Sequence, residues 1–436
     1  MSLFGTDGIR GQVGQFPIDP ESMVRLGHGI AKVLCANQFR PRVLIGKDTR
    51  LSGYLLESGL EAGLIASGVD VLLTGPISTP AVGYLTKAMR ANLGLVISAS
   101  HNPYSDNGIK FILPSGEKIS GQQAQALEKY LYTQVQMKEG HAFGKAVRVE
   151  GAVHRYVERC KSKLIHVPNL MNLKIVIDCA NGATYHCAKM VFEELNANVT
   201  VIHDQPNGLN INAQCGATDV ASLAKKVIEV GADCGLAFDG DGDRLIMVDH
   251  TGSIFDGDDI LWALSLNQHR YHSMVGCVKT VMSNGAMGDQ FRQRGIDCAT
   301  VSVGDQHVMA KLKAEQWLLG AEPSGHILTL DASSMGDGII AGLLVLETQL
   351  LLEKPLMALK LPKRFQQISG SLALNQSIDR VELGKKIDRF ELSLEKNIRS
   401  VIRPSGTEPK LRYLFEGERD LVQVESDFKA QFSHEA

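Results

Sequence analysis

Several features that mark other classes of protein are missing from this sequence of 436 residues. Its eight cysteines are scattered and form no C-x-x-C pair, so neither a disulfide framework nor a zinc site is indicated. The net charge of −3 supplies no strong basic field, which argues against binding nucleic acid or an anionic membrane surface. The longest apolar run, residues 339–352, is interrupted by polar side chains and is too short to span a bilayer.

Two common nucleotide motifs are also missing. No segment matches the Walker A pattern of P-loop proteins, and the one G-x-G-x-x-A match, at residues 336–341, does not follow a strand-like segment. The first residues do not have the basic and apolar regions of a signal peptide. We therefore expect a cytoplasmic protein of roughly three domains, with two to four allowed by its length.

The hydrophobic pattern predicts strands that alternate with helices over most of the chain. Strands are predicted at 42–46, 69–73 and 93–98, and the pattern restarts near 174 and near 276. This alternation is typical of α/β domains with largely parallel sheets. A short echo, Ala-Asn-Gly-Ala at 180–183 and Ser-Asn-Gly-Ala at 283–286, weakly suggests repeated units. The last 70 or so residues differ, since strands at 398–403 and 411–415 and a helix at 422–432 predict a small α+β domain.

The most specific chemical signal is the loop Asp239-Gly240-Asp241-Gly242-Asp243-Arg244, which follows a predicted buried strand. The glycines allow a turn that brings the three carboxylates together, and hard carboxylate oxygens suit Mg²⁺. An EF-hand would need a Glu at position 12 of the loop, where this chain has His250. A solvated acidic turn is the alternative, and the position after a buried strand disfavours it.

A second loop, Ser98 to Pro103, also follows an apolar strand and leads into a tight Pro/Asn/Gly loop, and residues 106–111 come directly after it. A serine at the end of a strand is well placed for nucleophilic or phosphoryl-carrier chemistry, and His101 and Lys110 are candidate proton donors or acceptors. Taken alone, the segment would more often be a capped turn. The functional interpretation of this segment depends on the aspartate loop being present as well.

Three further loops carry polar groups. Residues 320–326 offer a carboxylate, a hydroxyl and an imidazole that suit sugar hydroxyls. Residues 403–410 combine an arginine, two hydroxyls and an exposed glycine amide, as a phosphate cradle does, and the glycine-rich turn at 5–11 also carries an arginine. Each could equally be a surface turn.

Together these segments resemble the α-D-phosphohexomutases, and among them the branch that acts on glucosamine phosphates. The matching segments run in family order along nearly the whole chain: FGTDGIRG (4–11), ISASHNPYSDNGIKF (97–111), DCANGATYH (178–186), PNGLNINAQCGATD (206–219), FDGDGDRLIMVD (238–249), GAEPSGH (320–326), GDGIIAG (336–342) and RPSGTEPKLR (403–412). The resemblance implies three α/β domains and a smaller C-terminal α+β domain around a central cleft. We place them at residues 1–150, 151–251, 252–362 and 363–436.

The resemblance also implies roles for individual residues. Ser100 would carry the phosphoryl group, phosphorylation of Ser100 would be required for activity, and one Mg²⁺ would be held by Ser100, Asp239, Asp241 and Asp243. The groups around the transferred phosphoryl group would be Arg10, His101, Lys110 and Arg244, with Lys110 a candidate general acid or base. The sugar would be bound by Glu322, Ser324 and His326, and the phosphate that is not transferred by Arg403, Ser405, Gly406 and Thr407.

The implied activity is the interconversion of glucosamine 6-phosphate and glucosamine 1-phosphate through a bisphosphorylated sugar, which supplies amino-sugar precursors of the cell wall. Pro323 and Gln306 depart from the family pattern, and the segment before Arg403 is shorter than usual. Alternatives are a phosphoglucomutase/phosphomannomutase, a metal-dependent sugar-phosphate hydrolase and a non-catalytic sugar-phosphate binder. The expected partner is a small-molecule sugar phosphate, with no nucleic acid and no membrane, and the expected assembly is a monomer or a homodimer.

Overall fold

A computed structural model of the chain describes residues 3–5, 7–36, 38–374, 380–404, 410–418 and 421–432. Within these residues the strands form four sheets, of seven, five, four and three strands, one after another along the chain. None of the described helices combines the length and apolar character that a membrane crossing requires.

The first unit is built on the seven-stranded sheet. Its strands are β1 (Phe4–Gly5), β2 (Gly8–Gln12), β3 (Arg42–Lys47), β4 (Asp70–Pro76), β5 (Leu93–Ile97), β6 (Asp106–Ile112) and β7 (Ala146–Arg148), and its helices are α1 (Pro20–Val33), α2 (Ser52–Ala66), α3 (Thr79–Ala88) and α4 (Gly121–Tyr130). The strand order is β1-β2-β6-β5-β3-β4-β7. Strands β3, β4, β5 and β7 are parallel, and the apolar runs of β3 and β5 lie in the middle of the sheet because both of their faces are covered.

One strand of this unit was not predicted from the sequence. Residues 106–111 belong to strand β6, which is antiparallel to both β5 and β2. The sheet is therefore mixed, and Lys110 lies on a strand, paired opposite Val96 of β5.

The second and third units follow the same alternation of strands and helices. The second contains α5 (Ala152–Lys161), β8 (Lys174–Asp178), α6 (Cys187–Glu194), β9 (Asn198–Ile202), α7 (Ala221–Val230), β10 (Cys234–Phe238), β11 (Leu245–Asp249) and β12 (Ile254–Phe255). The third contains α8 (Gly257–Ser265), α9 (Gln268–Tyr271), β13 (Gly276–Thr280), α10 (Ala286–Gln293), β14 (Asp297–Val301), α11 (Asp305–Glu315), β15 (Leu319–Ala321), β16 (Ile327–Thr329) and α12 (Gly338–Leu351). Their strand orders are β12-β11-β10-β8-β9 and β14-β13-β15-β16.

The fourth unit is smaller and has a different architecture. It contains β17 (Gln366–Ala373), α13 (Arg380–Ser393), β18 (Arg399–Pro404), β19 (Lys410–Gly417) and α14 (Val422–Phe432). Its three strands pair antiparallel in the order β17-β19-β18. Short 3₁₀ turns elsewhere lie at Gly140–Ala142, Gly216–Thr218 and Leu356–Leu359. The predicted fold class, three α/β units and a smaller C-terminal α+β unit, is confirmed.

Strand β12 pairs with β11 in the second sheet, so that sheet extends past residue 251. The predicted domain boundaries otherwise fall between sheets and stay a prediction. The largest hydrophobic cluster is shared: Val96 of the first unit, Phe238 of the second and Leu343 of the third belong to it. The fourth unit has a separate core around Phe390, Phe415 and Phe428.

Candidate active site

The serine loop, the aspartate loop and the sugar loop follow the carboxyl ends of strands β5, β10 and β15. In α/β sheets this edge is where ligands bind, because the loops there converge. Ser100 follows β5, Asp239 follows β10 directly, and Glu322 follows β15 directly. The fold thus brings together residues that lie more than two hundred positions apart.

Ser100 is buried and points at the aspartate loop. Its Oγ donates a hydrogen bond to Asp239 Oδ2 at 2.7 Å, and its backbone N–H donates to Ser98 Oγ at 2.9 Å. His101 Nδ1 lies 3.5 Å from the serine Oγ. The φ angle of Ser100 is +52°, in the left-handed region that few non-glycine residues adopt. The serine is therefore held in an unfavourable backbone conformation at the point where it meets the carboxylates.

The three aspartates converge as the sequence predicts. Ligand oxygens of Asp239, Asp241 and Asp243 lie within 4.8 Å of one another, and all three side chains are buried. Burial, followed by the neighbouring carboxylates of Asp243 and Asp241, raises the pKa of Asp239 to about 8. One oxygen of Asp241 and one of Asp243 have no hydrogen-bond partner. Buried, crowded and partly unpartnered carboxylate oxygens are the donor set that a hard divalent cation takes, so these residues fit Mg²⁺.

Lys110 reaches the aspartates from strand β6. Its Nζ lies 2.6 Å from Asp241 Oδ2 and 3.0 Å from Asp243 Oδ2. Although burial opposes the charged form, Asp241 and Asp243 raise the pKa of Lys110 well above its ordinary value. Lys110 is therefore an ammonium cation at neutral pH.

His101 has the opposite protonation preference. Burial and the guanidinium groups of Arg244 and Arg10 lower the pKa of His101 to about 4. Arg244 Nε lies 3.9 Å from oxygens of both Asp239 and Asp243. These pKa shifts leave His101 neutral and able to accept a proton, and leave Lys110 a cation that does not readily donate one.

The sugar loop pairs directly with the aspartate loop. The N–H of Leu245 donates to the carbonyl of Gly325 at 2.9 Å, and a Cβ at Gly325, whose φ is +89°, would lie 2.4 Å from the carbonyl oxygen of Leu245. Only glycine fits this close approach. His326 Nδ1 lies 3.8 Å from Asp243 Oδ1, so the sugar loop lies against the aspartate cluster.

The side chains of the sugar loop have distinct environments. Glu322 Oε1 accepts a hydrogen bond from the N–H of Gly304 at 2.9 Å, whereas Ser324 is exposed. Although burial opposes the charged form, Asp243 and then Asp305 raise the pKa of His326 to about 9. This shift favours the protonated form of His326 at neutral pH. The roles of Glu322 and Ser324 in binding a sugar stay predictions.

Sequence reasoning missed a charged bridge between the first and third units. Lys118 Nζ lies 2.8 Å from Asp7 Oδ1 and 2.6 Å from Asp305 Oδ2, and Asp7 also pairs with Arg10 at 2.8 Å. Asp7 lies in the glycine-rich turn that the sequence singled out for its arginine, but nothing local indicates that Lys118 and Asp305 meet there. Gln306 is exposed at the start of α11, one residue from this bridge.

Only part of the predicted phosphate cradle can be placed. Arg403 lies near the end of β18 and is half-buried. Burial and the neighbouring Arg412 lower the pKa of Arg403, while Glu322 opposes this shift. Glu322 of the sugar loop is therefore close enough to Arg403 to affect its pKa. Ser405, Gly406 and Thr407 lie outside the described residues.

A second group, Asp178, His203 and Cys215, also has ligand atoms within 4.8 Å of one another. These residues already form contacts that fix the surrounding loops. Asp178 accepts backbone N–H groups from Ala180 at 2.8 Å and Gly216 at 2.9 Å, and His203 Nδ1 lies 3.1 Å from it. Burial raises the pKa of Cys215 to about 12. This group has a structural role.

Models of four protein domains match the chain in order. They are described as the phosphoglucomutase/phosphomannomutase alpha/beta/alpha domains I, II and III, at residues 1–137, 154–252 and 256–365, and the C-terminal domain, at residues 356–430. Together they cover most of the chain and are consistent with the four sheets.

Relatives and solved structures agree with these matches. A phosphoglucosamine mutase from Polynucleobacter asymbioticus is 49% identical over 421 residues, 95% of this chain and 94% of that protein. One from Proteus mirabilis is 46% identical over 96% of this chain and 95% of its own length. A phosphoglucomutase/phosphomannomutase family protein from Burkholderia thailandensis superposes with a TM-score of 0.83 at 25% identity, covering 99% of this chain and 97% of that one.

A more distant structure shares the fold alone. The N-acetylphosphoglucosamine mutase of Aspergillus fumigatus, solved in complex with GlcNAc-6P and magnesium, has a TM-score of 0.67 at 15% identity and covers 99% of this chain and 95% of that one. The identity and coverage of the bacterial relatives, together with the four domain matches, decide the family. The chain belongs to the phosphohexomutases and, within them, to the phosphoglucosamine mutases.

Proposed function

We propose that this chain interconverts glucosamine 6-phosphate and glucosamine 1-phosphate, with Ser100 carrying the phosphoryl group between the two sugar positions. The observation that carries the proposal is the 2.7 Å hydrogen bond from Ser100 Oγ to Asp239, inside a cluster of buried carboxylates and cations. If the serine only capped a turn, there would be no reason for buried carboxylates and cations to surround it.

In the proposed reaction, phosphorylated Ser100 gives its phosphoryl group to a free hydroxyl of the sugar monophosphate. The bond from phosphorus to the serine oxygen breaks, a bond to the sugar oxygen forms, and the hydroxyl proton of the sugar is passed on so that the serine oxygen is protonated. The bisphosphorylated sugar then turns over, and its other phosphoryl group returns to Ser100. Both half-reactions use the same groups, since the sugar and not the enzyme changes orientation.

The described side chains have different roles in this reaction, according to their charge. His101 is neutral and can accept the hydroxyl proton, and Lys110, Arg10 and Arg244 can offset charge on the phosphoryl oxygens. Asp239, Asp241 and Asp243, with an oxygen on Ser100, would hold Mg²⁺. When bound, this ion would neutralise negative charge on the transferring group.

For the sugar, we propose Glu322 as the partner of the ammonium at carbon 2 or of ring hydroxyls, with Ser324 beside it. Pro323 lacks a backbone N–H and a polar side chain, so it adds no hydrogen bond to the sugar. Arg403, with Ser405, Gly406 and Thr407, would bind the phosphate that is not being transferred. A cytoplasmic location and the absence of nucleic-acid and membrane partners stay predictions from the sequence.

A coupled assay with glucosamine, glucose and mannose 6-phosphates, with free phosphate measured in parallel, tests this proposal. We expect kcat/KM for glucosamine 6-phosphate to exceed the others by at least about tenfold, because a buried polar group left unpaired costs roughly 1–3 kcal/mol. Some turnover of glucose 6-phosphate is expected from the substitutions at 306 and 323. Equal or better kcat/KM with glucose or mannose 6-phosphate would assign the chain to the phosphoglucomutase/phosphomannomutase reaction, and stoichiometric phosphate release would assign it to hydrolysis.

A further inference from the structure

The segment 206–219, PNGLNINAQCGATD, matches the glucosamine branch but supplies none of the groups proposed to act on phosphate or sugar. It lies in the second unit between β9 and α7. One of its side chains, Asn212, leaves that unit and reaches the serine loop of the first. Its Nδ2 donates to the carbonyl of Ser100 at 2.9 Å and to the carbonyl of Asn102 at 3.2 Å. Because both partners are carbonyl oxygens, only the NH₂ side of the amide can face them.

Arg50 of the first unit donates to the same two carbonyls. Its Nη2 lies 3.3 Å from the oxygen of Ser100 and 2.5 Å from that of Asn102. The guanidinium is completely buried and pairs with Asp48, which also accepts the backbone N–H of Arg50 at 2.9 Å. A buried cation fixed on one side by a carboxylate has little freedom, so it holds the carbonyls firmly.

The aspartate loop packs against this same junction. A Cβ on Gly240, which lies between the metal-site aspartates, would meet the oxygen of Ser100 at 2.5 Å and Nδ2 of Asn212 at 2.8 Å. Three segments from two units therefore meet on the backbone of Ser100, the residue whose φ of +52° is unfavourable. Such a conformation persists only where the surroundings enforce it.

We propose that Asn212, together with Arg50, is a positioning residue that holds the Ser100 backbone so that its Oγ stays beside the aspartates. This inference rests on the proposed role of Ser100 as phosphoryl carrier. Asn212 contacts the serine loop and not the sugar loop, so its loss should slow phosphoryl transfer without weakening sugar binding. The branch-specific segment thus sets the geometry of the reactive serine.

The test uses two substitutions that remove the donor in different ways. Asn212→Asp keeps the size and shape of the side chain, and Asn212→Gly keeps the positive φ of +57° without strain and adds no charge. Asn207→Asp, in the same segment, is the matched control. Asn207 is exposed, and its Oδ1 accepts from the N–H of Leu209 at 2.9 Å, a role that an aspartate fills equally well.

We expect kcat to fall about 10- to 100-fold in both Asn212 variants, as misplacement of a reacting group by about 1 Å does, with KM for glucosamine 6-phosphate within about twofold of wild type. Asn207→Asp should match wild type. If Asn212→Gly also lowers the thermal stability, the kcat and KM of Asn212→Asp are the deciding measurements. Wild-type kcat in both variants, or a raised KM at unchanged kcat, would overturn the inference. Ser100→Ala, assayed alongside, separates the two proposals, because substantial activity in that variant contradicts the proposed function itself.

Discussion

The junction between the first two units differs from the junction between the third and fourth units in the kind of contact that forms it. At the first, apolar residues of both units belong to one continuous hydrophobic cluster, and Ser100 and Asp239 meet above it in full burial. At the second, the described residues of the fourth unit form a core of their own, and Arg399 and Glu416 make polar contacts with the third unit. Ser100, the proposed phosphoryl carrier, and Arg403, the proposed phosphate ligand, therefore lie on units that are attached to their neighbours in different ways.

The polar junction centres on Arg399 and Glu416 of the fourth unit. Arg399 donates to the carbonyls of Val281 and Ser283 in the third unit, both at 2.8 Å, and pairs with Glu416 at 2.8 Å. Glu416 in turn accepts the N–H of Gly285 at 2.9 Å. Hydrogen bonds of this kind contribute about 1 kcal/mol each and can be exchanged for water without opening a core.

This difference between apolar and polar contacts agrees with what the proposed reaction requires of each region. Phosphoryl transfer requires the serine, the aspartates and the cations to keep fixed distances, and a shared core supplies that. The phosphate on the far side of the sugar is attached to carbon 6 in one half-reaction and to carbon 1 in the other. A cradle that serves both is better carried on a unit whose attachment does not depend on shared apolar packing.

Loss of the proposed metal site should have a large effect on the fixed region. We expect Asp241→Asn to lower kcat by about 10²–10³-fold, because it removes charge from the proposed Mg²⁺ site, where the transferring group would be stabilised. Incubation with EDTA should abolish wild-type activity, and added MgCl₂ should restore it.

Asp233→Asn is the matched control for this substitution, since Asp233 precedes the same strand β10 but is exposed. Its activity should be that of wild type. An EDTA-treated enzyme that turns over at the original rate would rule out the metal assignment.

On the phosphate-binding side, Arg403→Ala should have an intermediate effect. A charge-assisted arginine–phosphate contact contributes roughly 1.5–3 kcal/mol, so KM should rise about ten- to a hundredfold. The rise should occur for both the 6-phosphate and the 1-phosphate, measured in the two reaction directions. Arg389→Ala, on the exposed face of α13, serves as the control. An effect limited to one direction would contradict a cradle shared by both orientations.

The smallest effect is expected at the polar junction itself. Arg399→Met leaves Glu416, whose side chain is only 3% exposed, without its cationic partner. We expect the free energy of unfolding of the fourth unit to fall by about 1–3 kcal/mol, which thermal denaturation would detect as a lower midpoint or a separate early transition. The chemical step should be preserved in the folded enzyme. An unchanged transition would mean that the apolar contacts of the fourth unit, and not this polar cluster, hold it in place.

The sequence predicted the architecture well where one local pattern decides the structure. The apolar run of β5 and the Asp-Gly repeat after β10 each indicate a buried strand that ends at a polar loop, and both predictions agree with the structure. Residues 106–112 were harder, because Asp106, Asn107 and Gly108 favour a turn locally while pairing with β5 and β2 makes them a strand. Tertiary pairing outweighed local preference there.

Contacts between distant segments could not be predicted in this way. Lys118 and Asp305, or Asn212 and Ser100, are brought together only by the packing of whole units. The echoed Asn-Gly loops are informative in retrospect. Asn181 follows β8 and its carbonyl accepts a hydrogen bond from Thr49 of the first unit, while Asn284 follows β13 and bonds Phe365 at the entry to the fourth. Each loop connects its own unit to a neighbouring segment.

The central claim, that Ser100 carries the phosphoryl group, is tested most directly by locating phosphate on the protein. Wild-type enzyme taken from turnover with glucosamine 6-phosphate, and Ser100→Ala treated identically, would be compared by intact mass and by mass spectrometry of the peptide that contains residue 100. We predict an additional mass of about 80 Da on Ser100 in the wild type and on no residue of the variant, with the variant's kcat lower by about 10⁴-fold or more. Phosphate found on another residue, or near-wild-type turnover by Ser100→Ala, would contradict the account.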